Sequence, residues 1–194
     1  MGLLRTFIAL DIPPHIQQAI QQNADNLRKA IGDSVRWVTV KNIHLTLKFL
    51  GDVSPADVDS LTRMLLAEAD SCPAFDFSVG GLGSFPNSKR TRVLWVGIQA
   101  PAELEALQRG IESACARLGY ESDQRPFSPH LTIGRVRDTA SAADLQRIRK
   151  TLEETKIDSL GTARVDSVHL YKSDLKPGGS VYTKLFSAPL KISH

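Results

Sequence analysis

The chain predicts an α+β fold of two pseudo-symmetric β-α-β-α-β lobes, with central antiparallel sheets, helices outside and a shared cleft. Three observations predict it. The 194 residues carry 42% apolar and 23% charged side chains, the proportions of a globular chain long enough to bury a real core. A shift of 86 or 87 residues lays the first half on the second, about 5–90 on 92–190. Within each half, β-forming runs alternate with stretches of helical period. Residues 1–194 are therefore expected to form a single bilobal domain.

The elements follow in order. Residues 5–12 carry β-formers and read as a strand. Pro13-Pro14 opens a helix over 14–31, and Gly32 stops it. Residues 43–50 form the second strand. Ser54-Pro55 supplies a cap and a first-turn proline for a helix through Ala69, with Val58, Leu61 and Leu65 on one face. Residues 75–85 form the third strand. The second half repeats the plan with strand 92–98, helix 102–118, strand 129–136 and helix 141–154. Strands near 163–172 and 180–187 follow, joined by a turn at Lys176-Pro177-Gly178-Gly179.

The repeat also aligns individual side chains. Ile20, Ala24, Ile31 and Gly32 meet Leu107, Ile111, Leu118 and Gly119. Val58, Leu61 and Leu65 meet Leu145, Ile148 and Leu152, and Val79, Leu82 and Phe85 meet Val165, Val168 and Tyr171. Most of these matches are apolar on apolar. His44-Leu45-Thr46-Leu47 falling on His130-Leu131-Thr132-Ile133 is a chemical match.

Several classes are excluded. No apolar run is long enough for a bilayer-spanning helix. Met1-Gly2-Leu3-Leu4-Arg5-Thr6 fits a short myristoylation pattern, but Thr6 opens the apolar run of a first strand. That run stops at Asp11 without a cleavage site, so neither a lipid anchor nor a signal peptide is expected. Two cysteines, Cys72 and Cys115, cannot make a disulfide framework and suit a cytoplasmic, reducing compartment. No phosphate loop, dinucleotide fingerprint, serine-hydrolase elbow or zinc-spaced cluster is present. His15 is expected in solvent at a helix start, His169 in a structural role, and His194 at the terminus. Cys72 and Cys115 read as buried thiols.

The net charge of +3 identifies no partner, but its distribution is uneven. Segments 36–48, 84–92 and 125–137 hold Arg36, Lys41, Lys48, Lys89, Arg90, Arg92, Arg125, Arg135 and Arg137, with no acidic residue. If they converge, they make a positive surface for a phosphate-bearing ligand.

In a strand, side chains i and i+2 share a face, so His44 projects with Thr46 and His130 with Thr132. Two imidazoles on opposite sides of one phosphorus suit in-line phosphoryl transfer: one accepts the proton of the nucleophile, the other supplies the leaving oxygen's. The hydroxyls and a nearby arginine can hold the non-bridging oxygens. No metal or other cofactor is required.

This constellation resembles the two-histidine phosphoesterase superfamily, whose members carry two His-x-Thr-x motifs in a bilobal fold. It is most similar to the bacterial and archaeal RNA 2′,3′-cyclic phosphodiesterases, also called 2′-5′ RNA ligases. The resemblance runs from Arg5-Thr6-Phe7-Ile8-Ala9-Leu10 through His44-Leu45-Thr46-Leu47-Lys48-Phe49-Leu50-Gly51, Phe85-Pro86 and Arg92-Val93-Leu94-Trp95. It continues through Ser128-Pro129-His130-Leu131-Thr132-Ile133-Gly134-Arg135 to Leu170-Tyr171-Lys172-Ser173 and Tyr182.

The resemblance implies hydrolysis of RNA or oligonucleotide 2′,3′-cyclic phosphate ends to 2′-phosphomonoesters, with minor 2′-5′ ligation. It makes His44 the proton donor and His130 the proton acceptor, an assignment that sequence symmetry alone leaves open. Thr46, Thr132 and Arg135 would bind the phosphate. Arg135 has the wrong strand parity, so a bulge or strand end must turn it inward. Phe49 would stack on the terminal base or else fill the core, and Lys89, Arg90 and Arg92 would contact upstream RNA. The protein is expected to be a monomer without an obligate protein partner. Two other readings compete. One is a phosphodiesterase for small cyclic phosphates such as ADP-ribose 1″,2″-cyclic phosphate, the other a non-catalytic RNA-binding module.

Overall fold

The computed structural model describes residues 2–177 and 179–191. The elements run β1 (Leu4–Asp11), α1 (Pro14–Ile31), β2 (Val35–Trp37), β3 (His44–Val53), α2 (Val58–Asp70), β4 (Phe75–Phe85) and β5 (Val93–Gln99). They continue with α3 (Ala102–Arg117), β6 (His130–Val136), α4 (Ala142–Glu154), β7 (Gly161–Val165), β8 (Ser167–Lys176) and β9 (Gly179–Pro189). The turn residue Gly178 and the terminal His194 lie outside the described residues.

The strands form two antiparallel sheets, β3-β1-β8-β9 and β2-β6-β5-β4-β7. Matching β1 to β5, β3 to β6 and β8 to β4 superimposes the two orders, as the repeat requires. Each sheet nevertheless takes strands from both halves of the chain. β4, from the first half, pairs with β5 and β7, while β8, from the second, pairs with β1. The lobes are therefore interlocked by strand exchange.

The exchange explains a correction to the expected strand near 163–172. That run is two strands, because β7 pairs with β4 at one sheet's edge while β8 lies between β1 and β9 in the other. One continuous strand cannot pair in both sheets, and the chain crosses at Asp166, whose carbonyl accepts from Leu190 N at 2.8 Å. β2 was not expected either; three residues are too short to show a period, and only pairing with β6 makes it a strand.

Helix α1 buries Ile16, Ile20, Ala24, Leu27 and Ile31 on one face, packs on β2 and β7, and carries α4 beside it. On the other sheet α2 and α3 pair, with α2 against β8 and β9 and α3 against β3. α1 is followed by Gly32 at φ 82° and α3 by Gly119 at φ 92°, so both copies use glycine's left-handed backbone to leave the helix. Before α2, Ser54 accepts from Ala56 N over a 3-10 turn, and α4 starts with a Ser141–Asp144 capping box. The repeat breaks at Leu118 and Leu145, which are exposed although their partners Ile31 and Val58 pack inward. Ile8 and Leu10, fully buried beneath the helices, each contribute about 1.5–3 kcal/mol of apolar burial.

Candidate active site

The register of β1 and β3 decides which side chains share a face. Asp11 lies opposite His44, Ala9 opposite Thr46 and Phe7 opposite Phe49. Between Thr46 and Lys48 one residue, Leu47, is unmatched, which makes a β-bulge. The bulge reverses parity beyond it. Lys48 turns under the sheet, where it is buried and pairs with Glu112 of α3 at 2.6 Å. Phe49 instead emerges on the face of His44 and Thr46, 67% exposed, and so does not fill the core.

The second sheet repeats this device. Gly97 lies opposite His130, Trp95 opposite Thr132 and Val93 opposite Arg135, leaving Ile133 as the extra residue. The parity problem at Arg135 is thus solved by a bulge, and Arg135 shares the face of His130 and Thr132. Across from it on β2 is Arg36. Strands β3 and β6 lie in contact where the sheets meet, so the two motifs start neighbouring strands.

Both imidazoles are held in the same way. His44 Nδ1 bonds the Asn42 carbonyl at 2.8 Å, and His130 Nδ1 bonds the Ser128 carbonyl at 2.7 Å. A carbonyl can only accept, so Nδ1–H is the donor and Nε2 is left for chemistry. Each ring is also walled by aromatics. His44 stacks on Phe7 at 4.7 Å and meets Tyr182 edge-on at 5.1 Å; His130 meets Phe85 edge-on at 4.8 Å. Burial pushes both histidines below the ordinary value of 6.5. The Asn42 carbonyl and Asp11 oppose this at His44; the Ser128 carbonyl opposes it at His130, where Arg135 drives the value further down.

The basic segments do converge in part. Arg36 pairs with Arg135 across β2 and β6, and the Arg92 carbonyl accepts from Val136 N at 2.9 Å. Three members of the expected surface have other partners: Lys48 is buried with Glu112, Arg125 pairs with Asp123 at 3.2 Å, and Arg137 Nε donates to the Asp33 carbonyl at 2.8 Å. Lys89 and Arg90 are exposed on a 3-10 turn touching α4, and Arg92 lies 3.5 Å from Asp138. His15 is exposed; Cys72 and Cys115 are free and buried, with burial raising both thiols and Cys115 to about 11.

His169 is buried and bonds Ser187 at 2.9 Å, as a structural histidine would. It also reaches a group that sequence reading missed. Asp11 accepts from Lys184 at 2.7 Å and from the Tyr171 hydroxyl, with His169 Nε2 at 3.4 Å. Counting by two from Phe7 would have placed Asp11 on the histidine face; its partners on β8 and β9 carried no such signal. A cleft of about 580 Å³ opens beside His44, lined by Gln17, Lys41, Asn42, Tyr171 and Tyr182 among others, and His130 does not border it.

Residues 12–177 match the model of the 2′-5′ RNA ligase superfamily. A Methanothermobacter thermautotrophicus protein named RNA 2′,3′-cyclic phosphodiesterase is 30% identical over 182 residues, spanning 94% of this chain and 96% of its own. An Escherichia coli protein of the same name is 36% identical over 143 residues, 73% of this chain and 76% of its own. Among solved structures, Escherichia coli LigT complexed with 3′-AMP superimposes with a TM-score of 0.76 at 29% identity, covering 97% of this chain and 98% of that one. A Thermus thermophilus protein gives a TM-score of 0.82 at 25% identity, covering 98% and 100%. No helix among the described residues is long and apolar enough to cross a membrane. With a family model matched over most of its length and two duplicated histidine strands in the fold of its relatives, the chain belongs to the 2′-5′ RNA ligase superfamily.

Proposed function

We infer that the chain is a cytoplasmic RNA 2′,3′-cyclic phosphodiesterase that works as one bilobal, monomeric unit. The observation that carries this reading is the duplicated constraint on His44 and His130. Each heads one of two contacting strands, each gives Nδ1–H to a carbonyl two residues back, and each has a threonine two residues on. A histidine kept only for packing has no need of that repetition.

In the proposed reaction the cyclic phosphate sits between the rings. Water attacks phosphorus and gives its proton to Nε2 of His130 as the new P–O bond forms. The bond from phosphorus to the ribose 3′ oxygen breaks, and that oxygen takes a proton from Nε2 of His44. The product is a 2′-phosphomonoester with a free 3′ hydroxyl, and solvent restores both rings. Thr46, Thr132 and Arg135 bind the non-bridging oxygens, where charge develops. Because the leaving oxygen stays on the ribose, the nucleoside belongs on the His44 side, which is where the cleft opens. Phe49 offers an exposed ring for the base, and Lys89, Arg90 and Arg92 contact upstream RNA. With a 5′ hydroxyl in place of water as the nucleophile, and the 3′ oxygen again leaving, the same groups would give minor 2′-5′ ligation.

The arginines beyond His130 favour a polyanionic substrate over a small cyclic phosphate, since one phosphate needs few cations. An oligonucleotide ending in a 2′,3′-cyclic phosphate tests the reading. The expected product is the 2′-phosphate, with higher kcat/KM than for the cyclic mononucleotide. Equal values would favour the small-ligand reading, a 3′-phosphate would reverse the polarity, and tight binding without turnover would favour a binding module.

A further inference from the structure

The two histidines are equivalent in backbone position but have different neighbours across the sheet. Opposite His44 stands Asp11; opposite His130, 86 residues later in the repeat, stands Gly97, which has no side chain. The Asp11 carboxylate is fixed from two adjacent strands. Tyr171 on β8 donates to Oδ1, Lys184 on β9 donates to Oδ2 at 2.7 Å, and His169 Nε2 lies 3.4 Å from Oδ2. The position equivalent to Phe49 beside His130 holds the guanidinium of Arg135.

We propose that Asp11 is a positioning residue that assigns the two otherwise symmetric histidines their roles, holding His44 as proton donor while Arg135, with Gly97 standing where a carboxylate would be, leaves His130 as proton acceptor. The proposal rests on the two-histidine reading above. A carboxylate beside an imidazole favours the protonated ring, and a guanidinium disfavours it. Burial alone would favour a neutral Asp11, but the bonds from Lys184 and Tyr171, with the charges of His169 and Lys184, keep it below the ordinary carboxylate range.

The groups facing His44 are Asp11 and Phe7 from β1, Tyr171 from β8, and Tyr182 from β9. The Asn42 carbonyl and the exposed Lys41 approach from the segment leading into β3. Lys184 and His169 act one step further out, on Asp11. Against His130 stand the Ser128 carbonyl, Phe85, Trp95 and Arg135. Carboxylate and ammonium thus have opposite effects on His44, which gives the proposal a sign that can be tested.

The test is an NMR titration of the His44 and His130 ring protons in the free protein, paired with the pH profile of kcat/KM. Asp11→Asn is expected to move the His44 midpoint to lower pH and leave His130 in place. The alkaline limb, which needs protonated His44, then moves to lower pH and the acid limb stays. Lys184→Gln is expected to move His44 the other way, since Asp11 is no longer offset by a cation, and this variant decides the sign if Asp11→Asn does not fold. Equal shifts at both histidines, the same direction in both variants, or no shift would overturn the proposal. The midpoints need no substrate, so a wild type without turnover would remove the phosphodiesterase reading and leave this assignment to be judged separately.

Discussion

Phe49 and Arg135 occupy the same place in the two copies of the repeat. Each is delivered to the histidine face by one extra residue, Leu47 in β3 and Ile133 in β6. The bulge is duplicated while the side chain it presents is not: one sheet offers an exposed ring, the other a cation. A symmetric scaffold thereby carries an asymmetric site, with apolar surface beside His44 and positive charge beside His130.

His44→Ala and His130→Ala are each expected to lower kcat by about 10²–10⁴, since on the proposed mechanism each removes one of two proton transfers. Steady-state assays with chelator present measure it. Full turnover in either variant would show that the ring is dispensable.

On the proposed mechanism Thr46→Ala and Thr132→Ala each remove one bond to a charged phosphate oxygen, and each is expected to cost about 1.5–3 kcal/mol in kcat/KM. The losses should fall short of those at the histidines. A threonine variant as inactive as His130→Ala would mean that the hydroxyl does more than hold the phosphate.

Arg135→Met is expected to weaken phosphate binding and to shift the acid limb of the pH profile. The guanidinium adds to burial in pushing His130 down. Without it His130 titrates higher, and because His130 must be neutral to act as the proposed base, the acid limb is expected to move to higher pH. An unmoved acid limb with a raised KM would confine Arg135 to binding.

Burial holds His44, His130 and His169 below the ordinary 6.5 in the folded chain. The unfolded chain takes up these protons first as pH falls. Stability is complete above 6.5 and is lost as pH drops through the lowered folded values. Urea midpoints measured from about pH 8 down to about pH 5 are expected to decline. A flat series would mean that the rings protonate without cost in the fold.

Lys48→Met leaves the Glu112 carboxylate without its partner and is expected to cost about 3–5 kcal/mol in urea unfolding. The Lys48 side chain is 4% exposed, and the carboxylate it binds also accepts from Asp123 N at 3.0 Å. The double change Lys48→Met with Glu112→Leu should recover most of the loss, because no unpaired charge remains buried. A single variant as stable as the wild type would place the pair in solvent.

Much of this was legible in the chain alone. Helix 14–31 and strand 75–85 match their observed limits, because prolines, glycines and apolar period are local signals. The two His-x-Thr pairs were found by their repetition, and strand parity put each pair on one face. Parity also exposed the difficulty at Arg135, since counting by two does not reach it.

Tertiary structure decided the rest. The exchange of β4 and β8 between sheets, the bulges at Leu47 and Ile133, and the meeting of Asp11 with Tyr171, His169 and Lys184 all depend on pairing between strands far apart in sequence. A strand's side-chain period is written in its own residues. Its neighbour, and the register in which the two meet, are settled by which backbone groups find partners when the whole core closes.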